Sequence, residues 1–262
     1  MTRIPADPPD VALVRPPGSS FGRALSGHPQ RTTIDPARAL AQHAAYVAAL
    51  ADLVEVVPLP AQEDLPDSCF VDDCAVVAGG RALLARPGAP SRAEEPARLR
   101  PALAALVAEV LAMTPPATLD GGDVLRLGGT LVVGGSQRTN RAGVEQLDRF
   151  ARAGGLGLAV AAVPAGVLHL QTVVTAIAAD TVVGSAGMLA QPAFRSARRR
   201  VVVPPEEAPG CNVLAVGSAA VLPAGCPRTA EAIRGLGYAG REVDLGEFYK
   251  ADGGATCLSL LV

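Results

Sequence analysis

Cys257 stands where the turn Asp252-Gly253-Gly254-Ala255-Thr256 leads into the apolar run that closes the chain. Such a run reads as a buried strand, which would set the thiol on a rigid element at an exposed mouth, where a nucleophile belongs. His169 sits in the apolar, strand-like stretch Val167-Leu168-His169-Leu170-Gln171-Thr172. Asp120 and Asp123 flank two glycines in Thr118-Leu119-Asp120-Gly121-Gly122-Asp123-Val124, a turn that lets backbone pass close to a ligand. Asp67, Asp72 and Asp73 crowd around Pro66-Asp67-Ser68-Cys69-Phe70-Val71-Asp72-Asp73. Crowded carboxylates repel one another unless a cation is held among them, and a guanidinium or ammonium ligand would supply it. A thiolate, an imidazole and a carboxylate from distant stretches form a nucleophilic set of the Cys/His/acid kind. The extra carboxylates make the target a cation, which disfavours an ordinary peptide carbonyl. A guanidinium carbon fits, because flanking carboxylates keep it protonated and electrophilic.

Each group alone has a plainer reading. A cysteine is commonly a small core hydrophobe, a lone histidine in an apolar strand a hydrogen-bonded core residue, and an Asp-Asp pair a surface loop. Their joint presence carries the argument.

The elements that would position them repeat. Residues 76–84 read as strand, Gly-Gly turn and strand, followed by an Ala/Leu-rich helix over residues 94–113. The plan returns at residues 124–133, with a helix that puts Val144, Leu147 and Phe150 on one face. It returns again at residues 212–222, before a helix over 231–236 and a closing strand over 241–245. A fainter copy surrounds residues 179–184, and the first unit is split, with a helix over 36–53 and a strand over 54–58. Asp35 followed by Pro36 suits an N-cap and first turn. Hairpin–helix–strand units recurring at roughly 40 to 50 residues predict a closed array of similar α/β modules. The Gly-Gly turns suit two-residue hairpins with positive φ.

Composition narrows the function classes. The 262 residues are 49% hydrophobic and 18% charged, enough for one large α/β unit or two domains. No low-complexity or charged linker divides them, so a single catalytic domain over residues 1–262 is expected. The formal charge is -2, from 23 Lys+Arg and 25 Asp+Glu, without a basic face, which argues against nucleic acid. Arg198-Arg199-Arg200 reads as a solvated turn before a strand at Val201-Val202-Val203. The start of the chain carries Pro5, Pro8 and Pro9 and lacks a signal-like apolar core, and no run is long enough to span a bilayer. A cytoplasmic protein follows as the expectation. Five cysteines (Cys69, Cys74, Cys211, Cys226, Cys257) favour free thiols, and neither C-x-x-C nor H-E-x-x-H spacing points to a metal.

The stretches 66–73, 118–125, 138–140, 168–170 and 253–259, in this order, resemble the dimethylarginine dimethylaminohydrolase family of guanidine-modifying enzymes. The resemblance implies a five-module α/β propeller of pseudo-fivefold ββαβ repeats with a central active site, in agreement with the repeat. It implies Cys257 as nucleophile, His169 as general acid and then base, and Asp120 as the carboxylate of the triad. Asp67, Asp72 and Asp73 fall where the family holds the guanidinium and the amino-acid head. Arg92 and Arg138 fall where arginines grip the substrate carboxylate; residue type alone would leave both on the surface. Leu25, in a loop from Gly18 to Gly27, matches the family's lid.

The implied reaction is hydrolysis of Nω-methylated arginines to citrulline through a covalent thiouronium on Cys257, with no metal or organic cofactor. Arginine deimination, or hydrolysis of another guanidino or ureido compound such as citrulline, is the alternative on the same fold. A noncatalytic binding protein for cationic amino acids is a second. The implied partner is a small guanidino amino acid, with room for a homodimer and no role for nucleic acid or membrane. Two positions depart from the family pattern: Asp72 stands where many relatives carry Glu, and Gln171 where a basic residue is common.

Overall fold

The computed structural model describes residues 11–262; the Pro-rich start, residues 1–10, lies outside the described residues. The strands are β1 (Val11–Val14), β2 (Glu55–Pro58), β3 (Ala75–Ala78), β4 (Arg81–Leu84), β5 (Glu109–Ala112), β6 (Val124–Leu127), β7 (Thr130–Gly135), β8 (Gly157–Ala162), β9 (Val174–Ala178), β10 (Thr181–Gly184), β11 (Arg199–Val202), β12 (Leu214–Val216), β13 (Ala219–Pro223), β14 (Ala239–Val243) and β15 (Ser259–Leu261). The helices are α1 (Pro36–Ala51), α2 (Glu95–Ala104), α3 (Arg141–Ala153), α4 (Ala186–Leu189), α5 (Pro227–Gly235) and α6 (Gly246–Tyr249).

These strands form five three-stranded sheets with one plan. An antiparallel hairpin is followed by a helix and a third strand parallel to the second, as in β3-β4-α2-β5 and β6-β7-α3-β8. The split module is closed by the chain's two ends: β15 pairs antiparallel with β1, which pairs parallel with β2. The fold is thus the expected α/β five-module propeller.

Local sequence accounts for the elements. Asp35 caps α1 by accepting from the Ala37 and Arg38 amides, with Pro36 in the first turn. The buried face of α1 is Ala39, Gln42, His43, Tyr46 and Leu50, one stripe at helical spacing. Asn140 caps α3 through the Gly143 amide, and Leu147, Phe150 and Ala151 bury its inner face. Between β3 and β4, Gly79 and Gly80 both have positive φ, 62° and 69°, the conformation a two-residue hairpin needs.

Several boundaries differ from the sequence expectation. The helix expected over 94–113 ends at Ala104; residues Glu109–Ala112 are instead β5, drawn into register with β4. Arg199 and Arg200 belong to β11 and not to a preceding turn. Arg200 is held there by the carbonyls of Leu189 and Phe194, which end the short helical pieces after β10. The helix of the last repeat starts earlier, at Pro227, and its closing strand is Ala239–Val243.

The core lies between modules. Val76, Leu83, Leu131, Leu147 and Phe150 join the second module to the third, and Leu125, Val132, Val174, Val182 and Phe194 join the third to the fourth. Ile177, Val183, Val213, Ala220 and Ile233 continue the ring, and Tyr46, Leu258, Leu214 and Val221 bring the fifth module against the first. Leu13, Leu260, Leu84 and Leu99 close it. Each module covers its neighbour's apolar face.

The innermost strands, β3, β6, β9, β12 and β15, line an axial channel of about 230 Å³. A short 3-10 turn precedes each: Val71–Cys74, Gly121–Asp123, Leu170–Thr172, Pro205–Cys211 and Thr256–Leu258. Five equivalent turns therefore meet around one end of the axis.

Candidate active site

Four of the five axial turns bring the reactive residues together. Cys257, His169, Asp73, Asp67, Arg92, Arg138 and Leu25 line one small cavity, with Phe70, Leu168, Ala251, Asp252 and Gly253 completing the wall. It measures about 10 Å³, room for about one water molecule. In this shape the cavity is too small to hold an amino acid.

His169 is 4% exposed. Its Nε2 lies 3.0 Å from Asp120 Oδ2, and its Nδ1 faces Asp73 Oδ1 at 3.7 Å. Burial alone would lower its pKa, but the charge of Asp73, the Asp120 bond and Asp123 together raise it to about 9. The imidazole is thus a cation at neutral pH and can donate a proton. Asp120 is fully buried behind the ring and is held by the Gly88 amide at 2.8 Å. Asp120 does not line the cavity; it reaches the site through His169.

Cys257 is 8% exposed, deeper than the mouth expected from sequence, because the strand that follows it is drawn in against β1. The Gly254 amide donates to its Sγ at 3.4 Å. Burial, then the charges of Asp73 and Asp72, push the thiol pKa up to about 12. A cation arriving between these groups would reverse the electrostatic part of that shift.

The carboxylates have separate tasks. Asp73 accepts from the Gly122 amide at 3.0 Å and pairs with Arg92 at 2.6 Å. Burial raises its pKa, yet His169 and Arg92 overcome this and leave it lowered. Asp67 accepts from the Leu25 amide at 2.9 Å, which ties the loop bearing Leu25 to the cavity wall; burial raises its pKa. Asp72 does not line the cavity but the axial channel, where the Gln171 carboxamide donates to it at 3.0 Å. Burial and then Asp73 push its pKa well above the usual carboxylate range.

The two arginines differ. Arg92 is 4% exposed, and its guanidinium bonds Glu95, Asp73 and the carbonyls of Asp67 and Phe70. Of its five N–H groups, a single one on Nη1 is left over. Arg138 lines the cavity and makes no ion pair among the described residues. Arg138 thus presents its charge to the cavity, while Arg92 is engaged with Asp73 and Glu95.

Sequence reasoning missed Glu95, the second partner of Arg92, because a glutamate opening a helix looks like a surface residue. It also gave no task to Asp123, which is fully buried and receives Ser136 Oγ, Thr139 Oγ1 and the Leu170 amide. Asp123 thereby fixes the turn after His169 to the segment bearing Arg138. Its place beside Asp120 and the glycine pair was the available signal.

Among the described residues, Asp73, Asp120 and His169 form a group with donor atoms within 4.8 Å of one another. Those atoms are already engaged with Arg92, Gly122, Gly88 and each other, so the donor set fits a hydrogen-bonded relay better than a metal. All five cysteines are free. No described helix is long and apolar enough to cross a membrane.

Comparison with known proteins agrees with this geometry. The arginine deiminase family model matches residues 63–209. A dimethylarginine dimethylaminohydrolase from Streptomyces coelicolor is 43% identical, covering 97% of each chain. The Pseudomonas aeruginosa enzyme of that name is 34% identical over 86% of this chain and 89% of its own. A solved adduct of dimethylarginine dimethylaminohydrolase with S-methyl-L-thiocitrulline superposes with a TM-score of 0.93 at 32% identity, covering 97% of this chain and 100% of that one. A Cys-to-Ser mutant of the Pseudomonas aeruginosa protein complexed with citrulline gives 0.91 at 31% identity, covering 97% and 99%. By this identity over nearly the full length, the chain belongs to the dimethylarginine dimethylaminohydrolase family.

Proposed function

We propose that this protein is a hydrolase that converts Nω-methylated arginines, asymmetric dimethylarginine and monomethylarginine, to citrulline and dimethylamine or methylamine. The observation that carries the reading is a thiol and a carboxylate-charged imidazole sharing one cavity with Asp67, Asp73 and an unpaired Arg138. Relatives crystallised with citrulline and S-methyl-L-thiocitrulline support it. The catalytic unit proposed is residues 1–262 as one domain, acting in the cytoplasm on a small guanidino amino acid.

In the proposed reaction Arg138 pairs with the substrate carboxylate through its planar fork, while Asp67 and the loop at Leu25 receive the amino end. The guanidinium lies against Asp73, the member of the Asp72-Asp73 pair that lines the cavity. Its positive charge offsets the two carboxylates beside Cys257, the thiol proton departs to solvent, and the thiolate attacks the guanidinium carbon. His169, already protonated, gives its proton to the departing amine. The neutral imidazole then takes a proton from water, and the resulting hydroxide attacks the thiouronium carbon. Collapse breaks the C–S bond, the hydroxyl proton passes to the departing thiolate, and citrulline leaves with the thiol restored. Asp120 holds the ring and stabilises its charged form, as the acid of a triad does.

The test is citrulline formation from asymmetric dimethylarginine, monomethylarginine, arginine and agmatine, before and after thiol alkylation. The expected result is turnover of the methylated substrates that alkylation abolishes. Preference for arginine would assign the deiminase reaction instead, and binding without citrulline a noncatalytic role.

A further inference from the structure

The fifth axial turn, Pro205–Cys211, contributes no acid, imidazole or thiol to the cavity, yet it ends at Asn212, which is only 4% exposed. Every hydrogen bond of this side chain goes to the frame of the site. Its Nδ2 donates to the Gln171 carbonyl at 3.0 Å and to Thr256 Oγ1 at 2.9 Å. Its Oδ1 accepts the Thr256 amide at 2.8 Å. Thr256 immediately precedes Cys257, and Gln171 follows His169 by two residues. One carboxamide therefore bridges the turn that bears the thiol and the turn that bears the imidazole.

Two further observations extend the bridge. A Cβ on Gly254 would lie 2.6 Å from Asn212 Cγ, so the carboxamide rests directly on the residue whose amide donates to Cys257 Sγ. On the other side, the Gln171 side chain donates to Asp72 at 3.0 Å and to the Val124 carbonyl at 2.8 Å. Gln171, Asn212 and Thr256 on this path are buried, neutral groups, and the path ends on the half-buried Asp72.

We propose that Asn212 is a positioning residue: its carboxamide sets the placement of the Cys257 sulfur relative to the His169 ring by tying their turns together, and Gln171 extends the tie to Asp72. The chemistry favours an amide here. Among small side chains it alone offers two N–H donors together with a separate carbonyl acceptor, the set this bridge uses. A carboxylate would add a further acid near a thiol already facing Asp72 and Asp73. An apolar residue would strand the Thr256 amide and the Gln171 carbonyl, both buried. The reading of Cys257 and His169 as the reacting pair is taken from the proposed function.

The test compares Asn212→Ala and Asn212→Asp with wild type in three measurements. These are kcat and KM for asymmetric dimethylarginine, the rate of Cys257 alkylation by iodoacetamide between pH 7 and 10 without substrate, and Tm. The titratable groups around Cys257 are Asp72 and Asp73 on one turn, His169 on another, and Tyr46 and Tyr249 behind it, with Asp67, Arg92, Arg138 and Asp252 around the cavity. None is altered by these substitutions.

Misplacing a reacting group by an ångström costs on the order of 100-fold. The expected result is a fall in kcat of about 10- to 100-fold with little change in KM, and an altered alkylation profile. Asn212→Asp should move that profile to higher pH. A kcat within about twofold of wild type in both folded variants, or a loss confined to KM, overturns the proposal. If neither variant folds, Thr256→Val and Thr256→Ser decide. Retention of at least about fivefold more kcat by the serine variant supports the tie, and equal rates overturn it. If wild type makes no citrulline from any substrate, the proposed function fails and alkylation judges the tie alone. A changed profile at unchanged Tm then supports it, and identical profiles sink it.

Discussion

His43 and His169 are buried to the same degree, each 4% exposed, and their imidazoles are driven in opposite directions. His43, on α1, lies against the rings of Tyr46 and Phe248 with centroids 6.4 Å away, and its Nε2 has no hydrogen-bond partner among the described residues. Burial there lowers its pKa from the ordinary 6.5 to about 4. His169 meets the same burial at the propeller axis, but Asp73, Asp120 and Asp123 carry it to about 9. Burial is therefore not what makes a histidine a proton donor; the carboxylates aimed at it are. The outer layer of a module uses its histidine as a packing ring, while the axial turns hold theirs charged among carboxylates.

The sharpest way to break this contrast is to remove the carboxylate behind the axial ring. Asp120→Asn keeps the shape of the site but loses the charge that orients and stabilises the imidazolium. The kcat should fall by about 10³- to 10⁴-fold, read by citrulline formation, with Tm reporting that the fold is retained. Retention of most of the activity would show that Asp73 alone suffices.

Next comes the support of Asp73. Arg92→Met leaves two buried carboxylates, Asp73 and Glu95, without their cation. Breaking such a buried cluster should lower unfolding stability by about 3–5 kcal/mol, measured as a shift in the urea midpoint. Activity should fall with it, because Asp73 would no longer be held ionised beside His169.

The two histidines also predict opposite edges of a pH–stability profile. A folded pKa raised to about 9 gives a contribution complete below pH 6.5 and lost as pH climbs to about 9. A folded pKa lowered to about 4 gives a contribution complete above pH 6.5 and lost as pH falls toward about 4. In urea titrations across pH, His169→Gln should flatten the alkaline edge and His43→Met the acidic edge. If either substitution flattens the other edge, the assignment of the two groups is reversed.

The smallest expected effect lies farthest from the axis. Arg141 and Glu145 pair on the face of α3 with side chains 93% and 54% exposed, where such ion pairs contribute little. Arg141→Ala should leave both Tm and turnover unchanged. A drop comparable to that of Arg92→Met would erase the distinction between axial and outer charges.

Much of this arrangement was legible in the chain because the repeat leaves local marks. Gly-Gly hairpins, the Asp35-Pro36 start of α1 and the Val144, Leu147, Phe150 stripe announce modules whose closure follows from their mutual burial. The third strands were less legible. Half-buried segments such as Glu109–Ala112 and Gly157–Ala162 lack alternation and take their conformation from pairing with β4 and β7. The acids and the thiol stood out by residue type. Glu95 and Asn212 did not, because their importance arises only from what the closed ring brings against them.

The central claim is that the sulfur of Cys257 forms the bond to the guanidinium carbon. Citrulline formation by Cys257→Ser, with substrate binding followed by calorimetry on the same preparation, tests it most directly. The account predicts that asymmetric dimethylarginine still binds and that no citrulline appears above the buffer blank. Citrulline production by that variant at a rate comparable to wild type would contradict it.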